Sequence, residues 1–255
     1  MIVKEELFMK EFFIDSDGIK LHAKLEAPEG VTKCPLLIIV HGLTGHMEEE
    51  HIVAAARTAL ETGFAALRVE MYGHGQSGGE FCRHTLLKWI GNILDVCRYA
   101  ESLDFVSDIC LAGHSQGGLL TILTGGLLNR KLKAIIPMSP AVMIPEGTRK
   151  GDLLGFRFDP DDVPDHLEFF DHVLDADYLQ TAQLIHVEEM IERYDNPVLI
   201  IHGTDDEAVP IEYGKRTAEA YRNCRLVPIN GANHGYEGHI EEMCDAIRSF
   251  LLENR

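Results

Sequence analysis

Positive charge is scarce in this sequence of 255 residues. Lys and Arg together number 23 against 41 Asp and Glu, which gives a formal net charge of −18 at pH 7. Nucleic acids and anionic membrane surfaces both bind proteins through basic faces. We therefore expect neither a nucleic acid nor a membrane as a partner, and we interpret the acidity as an aid to solubility.

Long apolar runs are missing as well. No stretch of 18 apolar residues is present, so the sequence predicts no membrane-spanning helix. Residues 1–10 contain Lys4, Glu5 and Glu6 and lack the apolar core of a signal peptide. The expected location of the protein is therefore the cytoplasm.

The sequence also lacks the motifs of several common binding sites. None of its six cysteines forms a CxxC pair, and disulfide frameworks are typical of short, loop-rich chains, so we expect reduced cysteines that lie mostly in the core. No group of histidines and cysteines has the spacing of a zinc site. The glycine-rich run 72–79 lacks the lysine of a phosphate-binding loop. We therefore expect neither a metal nor a nucleotide cofactor.

Short apolar runs rich in β-branched residues recur along the chain. Such runs predict strands that are buried on both faces, as in a parallel sheet, at 35–40, 64–69, 106–112, 133–137, 197–201 and 225–229. Segments with helical periodicity lie between or after them, at 49–62, 85–103, 119–128 and 240–253. This alternation predicts an α/β fold with right-handed crossovers. Residues 11–28 instead predict an antiparallel edge hairpin.

The segment 141–190 interrupts the alternation. It contains no strong buried strand, and a structureless loop of this length is improbable in a compact domain. We therefore predict a subdomain inserted over the sheet, which divides the chain into a core of residues 1–140 and 191–255 and an insertion of residues 141–190.

The strongest chemical motif is Gly113-His114-Ser115-Gln116-Gly117, which follows one predicted strand and precedes a predicted helix. G-x-S-x-G in this context is typical of a nucleophile elbow, a tight turn that holds the serine oxygen clear of the backbone at a helix N-terminus. A serine that only caps the helix is the alternative. The strand–turn–helix context favours Ser115 as a nucleophile.

A base and an orienting carboxylate follow later in the chain. The predicted strand 197–201 leads into Asp205 and Asp206, and the strand 225–229 leads into His234. Serine, acid and histidine in this chain order are typical of the α/β-hydrolase fold. We therefore predict His234 as the base. Strand order alone leaves both aspartates open as its partner, since only one carboxylate can meet Nδ1.

An oxyanion hole requires two backbone N–H groups near the nucleophile. One is that of Gln116, which follows the serine. We assign the second to Leu43, in the loop after the strand 35–40, with a neighbouring N–H as the alternative.

The whole chain resembles the bacterial cinnamoyl (feruloyl) esterases of the α/β-hydrolase superfamily. The matching motifs lie in the core and in the insertion, at 41–46, 72–77, 113–118, 202–206, 143–146, 151–155, 158–160 and 163–165. The resemblance implies a mostly parallel central sheet flanked by helices, with the insertion as a lid. The spacing HGxxDxxV implies that Asp206, rather than Asp205, is the catalytic acid.

The resemblance also implies how an aromatic substrate is held. By position, Tyr178 resembles the residue that reaches the phenol hydroxyl, and Phe169 or Phe170 lies where a pocket aromatic is expected. The alternative for Tyr178 is a lid-packing tyrosine whose hydroxyl meets the backbone. The resemblance to this family also implies a homodimer.

The predicted function is hydrolysis of hydroxycinnamate esters, a class of small aromatic ester, by a serine carboxylesterase that needs no cofactor. A monoacylglycerol lipase or a general short-chain carboxylesterase would use the same triad and is the alternative enzyme. A binding protein that kept the fold without turnover is the alternative of another class, since fold does not imply function.

Overall fold

The computed structural model describes residues 7–255. Residues 1–10 are the segment in which no signal peptide is expected, and residues 1–6 of it lie outside the described range. Within it the chain forms twelve strands, numbered in chain order. They are β1 (Leu7–Ser16), β2 (Ile19–Pro28), β3 (Cys34–Val40), β4 (Ala65–Val69), β5 (Val106–His114), β6 (Ala134–Met138), β7 (Asp152–Leu153), β8 (Phe156–Arg157), β9 (His166–Phe169), β10 (His172–Asp175), β11 (Val198–Gly203) and β12 (Cys224–Ile229).

The same residues form eight α-helices. They are α1 (Glu50–Glu61), α2 (Leu86–Glu101), α3 (Gln116–Leu128), α4 (Met143–Arg149), α5 (Ala176–Gln183), α6 (Val187–Glu192), α7 (Ile211–Ala220) and α8 (Ile240–Glu253). None of these helices combines the length and the apolar character that a bilayer crossing requires.

Eight strands form one central sheet in the order β1-β2-β4-β3-β5-β6-β11-β12. β2 pairs antiparallel with β1 and with β4, and every other pair in this sheet is parallel. The edge hairpin turns at Asp17 and Gly18, which both have positive φ, as the common two-residue hairpin turn requires. The mostly parallel sheet and the edge hairpin that the sequence predicts are both confirmed.

Strand β3 shows why the central strands are apolar along their whole length. All seven of its residues are buried. Leu36 and Ile38 face the core layer formed with α2 and α3, whereas Leu37 and Ile39 face the layer formed with α1 and α8. Burying a Leu or Ile side chain fully contributes about 2 kcal/mol, so both layers stabilise the sheet substantially.

The segment 141–190 lies between β6 and β11. It contains α4, the antiparallel hairpins β7–β8 and β9–β10, the helix α5 and the start of α6. Its buried side chains, such as Ile144 and Leu174, belong to the same hydrophobic cluster as the face of the sheet that α2 and α3 cover. The segment therefore shares its core with the sheet.

All six cysteines are unpaired, and four of them are buried, as the sequence predicts. The predicted catalytic triad and the predicted oxyanion-hole residue Leu43 lie in turns and loops that follow the carboxyl ends of β3, β5, β11 and β12. Parallel strands bring these ends to one edge of the sheet, which is where open α/β sheets place their active sites.

Candidate active site

Ser115 lies at the turn between β5 and α3. Its φ of 56° and ψ of −117° form a conformation that residues with a Cβ rarely adopt. Two backbone hydrogen bonds fix this turn: the Ser115 N–H donates to the Met138 carbonyl at 2.9 Å, and the Ser115 carbonyl accepts from the Ala141 N–H at 3.0 Å. The surrounding backbone therefore holds the strained serine in place.

The glycines of the motif make room for this turn. A Cβ at position 117 would lie 2.5 Å from the carbonyl oxygen of His41 and 2.6 Å from that of Val40. A Cβ at position 113 would overlap the carbonyl of Gly117. A side chain at position 117 would push the turn away from β3, and one at position 113 would collide with the start of α3, so the spacing G-x-S-x-G has a steric cause.

The carboxylate that contacts His234 is that of Asp206. His234 Nδ1 lies 2.8 Å from Asp206 Oδ2, while Asp206 Oδ1 accepts a hydrogen bond from the Val209 N–H at 2.8 Å. Asp205 is exposed, and its carboxylate accepts a hydrogen bond from the Thr204 hydroxyl at 3.0 Å. The geometry thus distinguishes the two adjacent carboxylates.

A second histidine supports Asp206. His202 is fully buried, and its Nε2 lies 2.8 Å from the Val209 carbonyl oxygen and 3.4 Å from Asp206 Oδ2. Burial alone would raise the pKa of Asp206, but hydrogen bonds from His202 and His234 outweigh it and hold that pKa well below its usual range. Asp206 therefore stays ionised beside the His234 imidazole.

Ser115 and His234 line the same cavity, which has a volume of about 490 Å³. These two described side chains share no hydrogen bond. Catalytic hydrogen bonds are often long before substrate binds and tighten in the complex. The cavity therefore brings the serine and the histidine to one space in which a reacting group fits.

The loop after β3 packs directly on the serine turn, since a Cβ at Gly42 would lie 3.3 Å from the Ser115 Cβ. Among the described residues 7–255, neither the Leu43 N–H nor the Gln116 N–H donates to a backbone carbonyl in the hydrogen bonds of turns, loops and helix caps. Gln116 is the first residue of α3, so its N–H has no partner within the helix. Both groups are available to a ligand oxygen.

Two buried histidines hold the carbonyl groups on either side of the Leu43 N–H. His41 accepts a hydrogen bond from the Met71 N–H at Nε2, so its Nδ1 carries the proton and donates to the Gly42 carbonyl at 2.7 Å. Burial lowers the pKa of His41 to about 3, which keeps this ring neutral. His74 Nε2 contacts the carbonyl oxygen of Leu43. The orientation of the Leu43 peptide is therefore fixed from both sides.

Aromatic side chains from the segment 141–190 complete the cavity. Phe169 is buried and Phe170 is 70% exposed, and both line the cavity together with Leu154. Tyr178 does not line it. Tyr178 belongs to α5, and its side chain is fully buried. Its hydroxyl donates to Gln116 Oε1 at 2.7 Å, so the hydroxyl contacts neither the cavity nor the backbone. Burial also raises the pKa of Tyr178, which keeps the hydroxyl protonated as a donor.

Comparisons with known proteins place the chain in a family. A family model described as "Serine aminopeptidase, S33" matches residues 32–158, and one described as "TAP-like protein" matches residues 176–255. Est1E from Butyrivibrio proteoclasticus, solved with ferulic acid bound, is 51% identical with a TM-score of 0.94, over 95% of this chain and 98% of Est1E. The chain belongs to the bacterial esterases of the α/β-hydrolase superfamily. The α/β-hydrolase fold with its mostly parallel sheet, the family resemblance and the enzyme class, a carboxylic ester hydrolase, are confirmed, whereas the lid stays a prediction.

More distant relatives agree with this family. A putative esterase/lipase from Haemophilus influenzae is 25% identical over 97% of this esterase and 98% of its own length. Protein ABHD12B from Homo sapiens is 26% identical over 192 residues, which are 74% of this esterase and only half the length of the human protein.

Sequence reasoning missed the supporting histidines of this esterase. His202 belongs to the motif 202–206 and His74 to the motif 72–77, which both match the resembled family, yet neither motif identifies the group that its histidine contacts. The signal for His74 is topological. Its loop follows β4, which neighbours β3 in the sheet, so the carboxyl ends of the two strands place His74 beside Leu43.

Proposed function

We propose that this esterase is a serine carboxylesterase with Ser115 as nucleophile, His234 as base and Asp206 as orienting acid. The observation that carries this proposal is the 2.8 Å contact between His234 Nδ1 and Asp206 Oδ2, beside the cavity that Ser115 and His234 share. A serine needs such a base, and the base needs an orienting carboxylate.

The proposed reaction proceeds through an acyl-enzyme. His234 removes the proton of Ser115 as the serine oxygen attacks the ester carbonyl, and Asp206 stabilises the resulting imidazolium. The N–H groups of Leu43 and Gln116 bind the developing oxyanion, each lowering the barrier by about 3 kcal/mol. His234 then protonates the leaving alcohol, and a water activated by the same histidine releases the acid.

We propose hydroxycinnamate esters as the substrate class, with the segment 141–190 as the lid. Two observations support this. Est1E, at 51% identity over nearly its whole length, was solved with ferulic acid bound. In this esterase the lid contributes Phe169 and Phe170 to the cavity, and aromatic rings stack favourably on such side chains. The homodimer and the cytoplasmic location stay predictions.

Hydrolysis rates of methyl ferulate, p-nitrophenyl butyrate and a monoacylglycerol test this function. We expect the largest kcat/KM for methyl ferulate and a loss of several orders of magnitude in Ser115→Ala, with an unchanged circular dichroism spectrum. A marked preference for the aliphatic esters would favour a general carboxylesterase or lipase. A Ser115→Ala variant at near-wild-type rate would refute the nucleophile.

A further inference from the structure

Glu49 is an acidic residue of the cavity for which the proposed mechanism has no role. It directly precedes α1 and lines the cavity together with Ser115 and His234. Its Oε2 accepts a hydrogen bond from the His46 N–H at 3.2 Å and lies 3.9 Å from His51 Nε2. The protein therefore holds one carboxylate oxygen of Glu49 in place, and the side chain keeps 28% of its surface accessible.

The neighbouring loop leaves room for this carboxylate. A Cβ at Gly45 would overlap the carboxyl group of Glu49, so a residue with a side chain at position 45 would displace it. Burial raises the pKa of Glu49, while the hydrogen bond from His46 and the charges of His46 and His234 oppose that rise. The carboxyl group is therefore partly desolvated, and its charge is close enough to His234 to interact with it.

Glu49 lies on the side of the cavity from which His234 acts. His51, whose Nε2 approaches Glu49, packs its ring 4.2 Å from that of His114. The His114 ring lies 4.6 Å from that of His234, and His114 Nε2 donates to the His234 carbonyl at 2.8 Å. In the proposed mechanism His234 gives its proton to the leaving alcohol, so we expect the alcohol portion of the ester on the side of the cavity that Glu49 lines.

Among the described residues, the cavity lining offers no permanently charged cation to offset this charge. The cavity is lined by a second carboxylate, that of Glu207 next to Asp206, and no lysine or arginine is among the described residues that line it. An anionic group on the alcohol would therefore meet two negative side chains in a partly desolvated space, where charges interact more strongly than in bulk water.

We infer that Glu49 is a specificity-determining residue that selects esters by the charge of their alcohol portion. Esters of neutral or cationic alcohols are accepted, whereas esters of alcohols that carry a carboxylate are disfavoured. This inference rests on the proposed role of His234 as proton donor to the alcohol. At a separation of about 6 Å and an intermediate dielectric, repulsion by one carboxylate is worth roughly a tenfold change in rate.

Chlorogenate and its methyl ester test the inference, because they share a caffeoyl group and differ in the charge of the alcohol. The measured quantity is the charge ratio, kcat/KM for the methyl ester divided by kcat/KM for chlorogenate. We expect a large ratio in the wild type and about a tenfold smaller one in Glu49→Gln. Glu49→Asp, which keeps the charge, should retain most of the wild-type ratio.

Glu50→Gln is the matched control. It removes the same charge one residue further along the chain, from an exposed side chain outside the cavity. We expect its charge ratio to equal that of the wild type. A ratio near one in the wild type, or the same ratio in Glu49→Gln and the wild type, would overturn the inference. An equal fall in Glu50→Gln would also overturn it, because the effect would then come from overall charge.

A second pair of substrates separates this inference from the proposed substrate class. Butyryl glycolate and its methyl ester present the same difference in alcohol charge without a hydroxycinnamoyl group. A charge ratio that depends on Glu49 only for the butyrate pair, with no turnover of caffeoyl esters, refutes the substrate class and supports Glu49. Turnover of caffeoyl esters without charge discrimination supports the substrate class and refutes the role of Glu49.

Discussion

Asp205 and Asp206 are adjacent in the chain, yet the structure gives them different surroundings. Asp206 is buried and contacts His234, whereas Asp205 is exposed and accepts a hydrogen bond from Thr204. The family resemblance, through its HGxxDxxV spacing, implies the same choice. The catalytic roles themselves stay predictions.

The two carboxylates provide a matched pair of variants. We expect Asp206→Asn to lower kcat about 10⁴-fold, since an amide can stabilise neither the required histidine tautomer nor its cation. Asp205→Asn makes the same chemical change at the neighbouring position, and its kcat should stay within a few-fold of wild type. The measurement is kcat on methyl ferulate for both variants. If Asp205→Asn did the greater damage, the assignment of the acid would be wrong.

At the scale of elements, α5 connects the segment 141–190 to the nucleophile turn. Tyr178 of α5 donates to the side chain of Gln116, the first residue of α3, whose N–H is a proposed oxyanion donor. In this structure Tyr178 therefore contacts the candidate site through Gln116. The family resemblance implies a direct contact with the phenol hydroxyl of the substrate, which this geometry does not provide.

Tyr178→Phe distinguishes these two roles. Because it leaves the buried Gln116 oxygen without its donor, we expect the free energy of unfolding to fall by about 1–2 kcal/mol. We expect kcat to fall by a similar factor for methyl ferulate and for methyl cinnamate, which lacks the phenol hydroxyl. A rise in KM confined to methyl ferulate would instead show a direct contact with the phenol.

Element length explains which parts could be predicted from the sequence. The central strands and the long helices carry several periods of an apolar pattern, as β3 and α8 do, and those predictions are confirmed. β7 has only two residues and carries no period. The partner of Tyr178 lies 62 positions away along the chain, so no local pattern could identify it.

At the scale of the whole molecule, several buried histidines lie at or behind the site. Burial lowers the pKa of His41 and of His84 to about 3 and that of His51 to about 4, and it holds the pKa of His114 well below its usual range. An unfolded chain binds a proton at each of these histidines near pH 6.5. Below that pH the unfolded state therefore binds more protons than the folded state.

This difference predicts a fold that loses stability in mild acid. A histidine with a lowered folded pKa contributes full stability above pH 6.5, and that stability falls as the pH drops toward the folded pKa. Between pH 6.5 and pH 5 the loss is about 1.5 kcal/mol for each such histidine, so four of them approach the total stability of an ordinary domain.

We expect urea unfolding to show a much smaller free energy of unfolding at pH 5 than at pH 6.5. His51→Gln should reduce this loss by about 1.5 kcal/mol, whereas His186→Gln, which replaces an exposed histidine, should leave it unchanged. Equal stability at the two pH values would contradict the protonation of these histidines on unfolding.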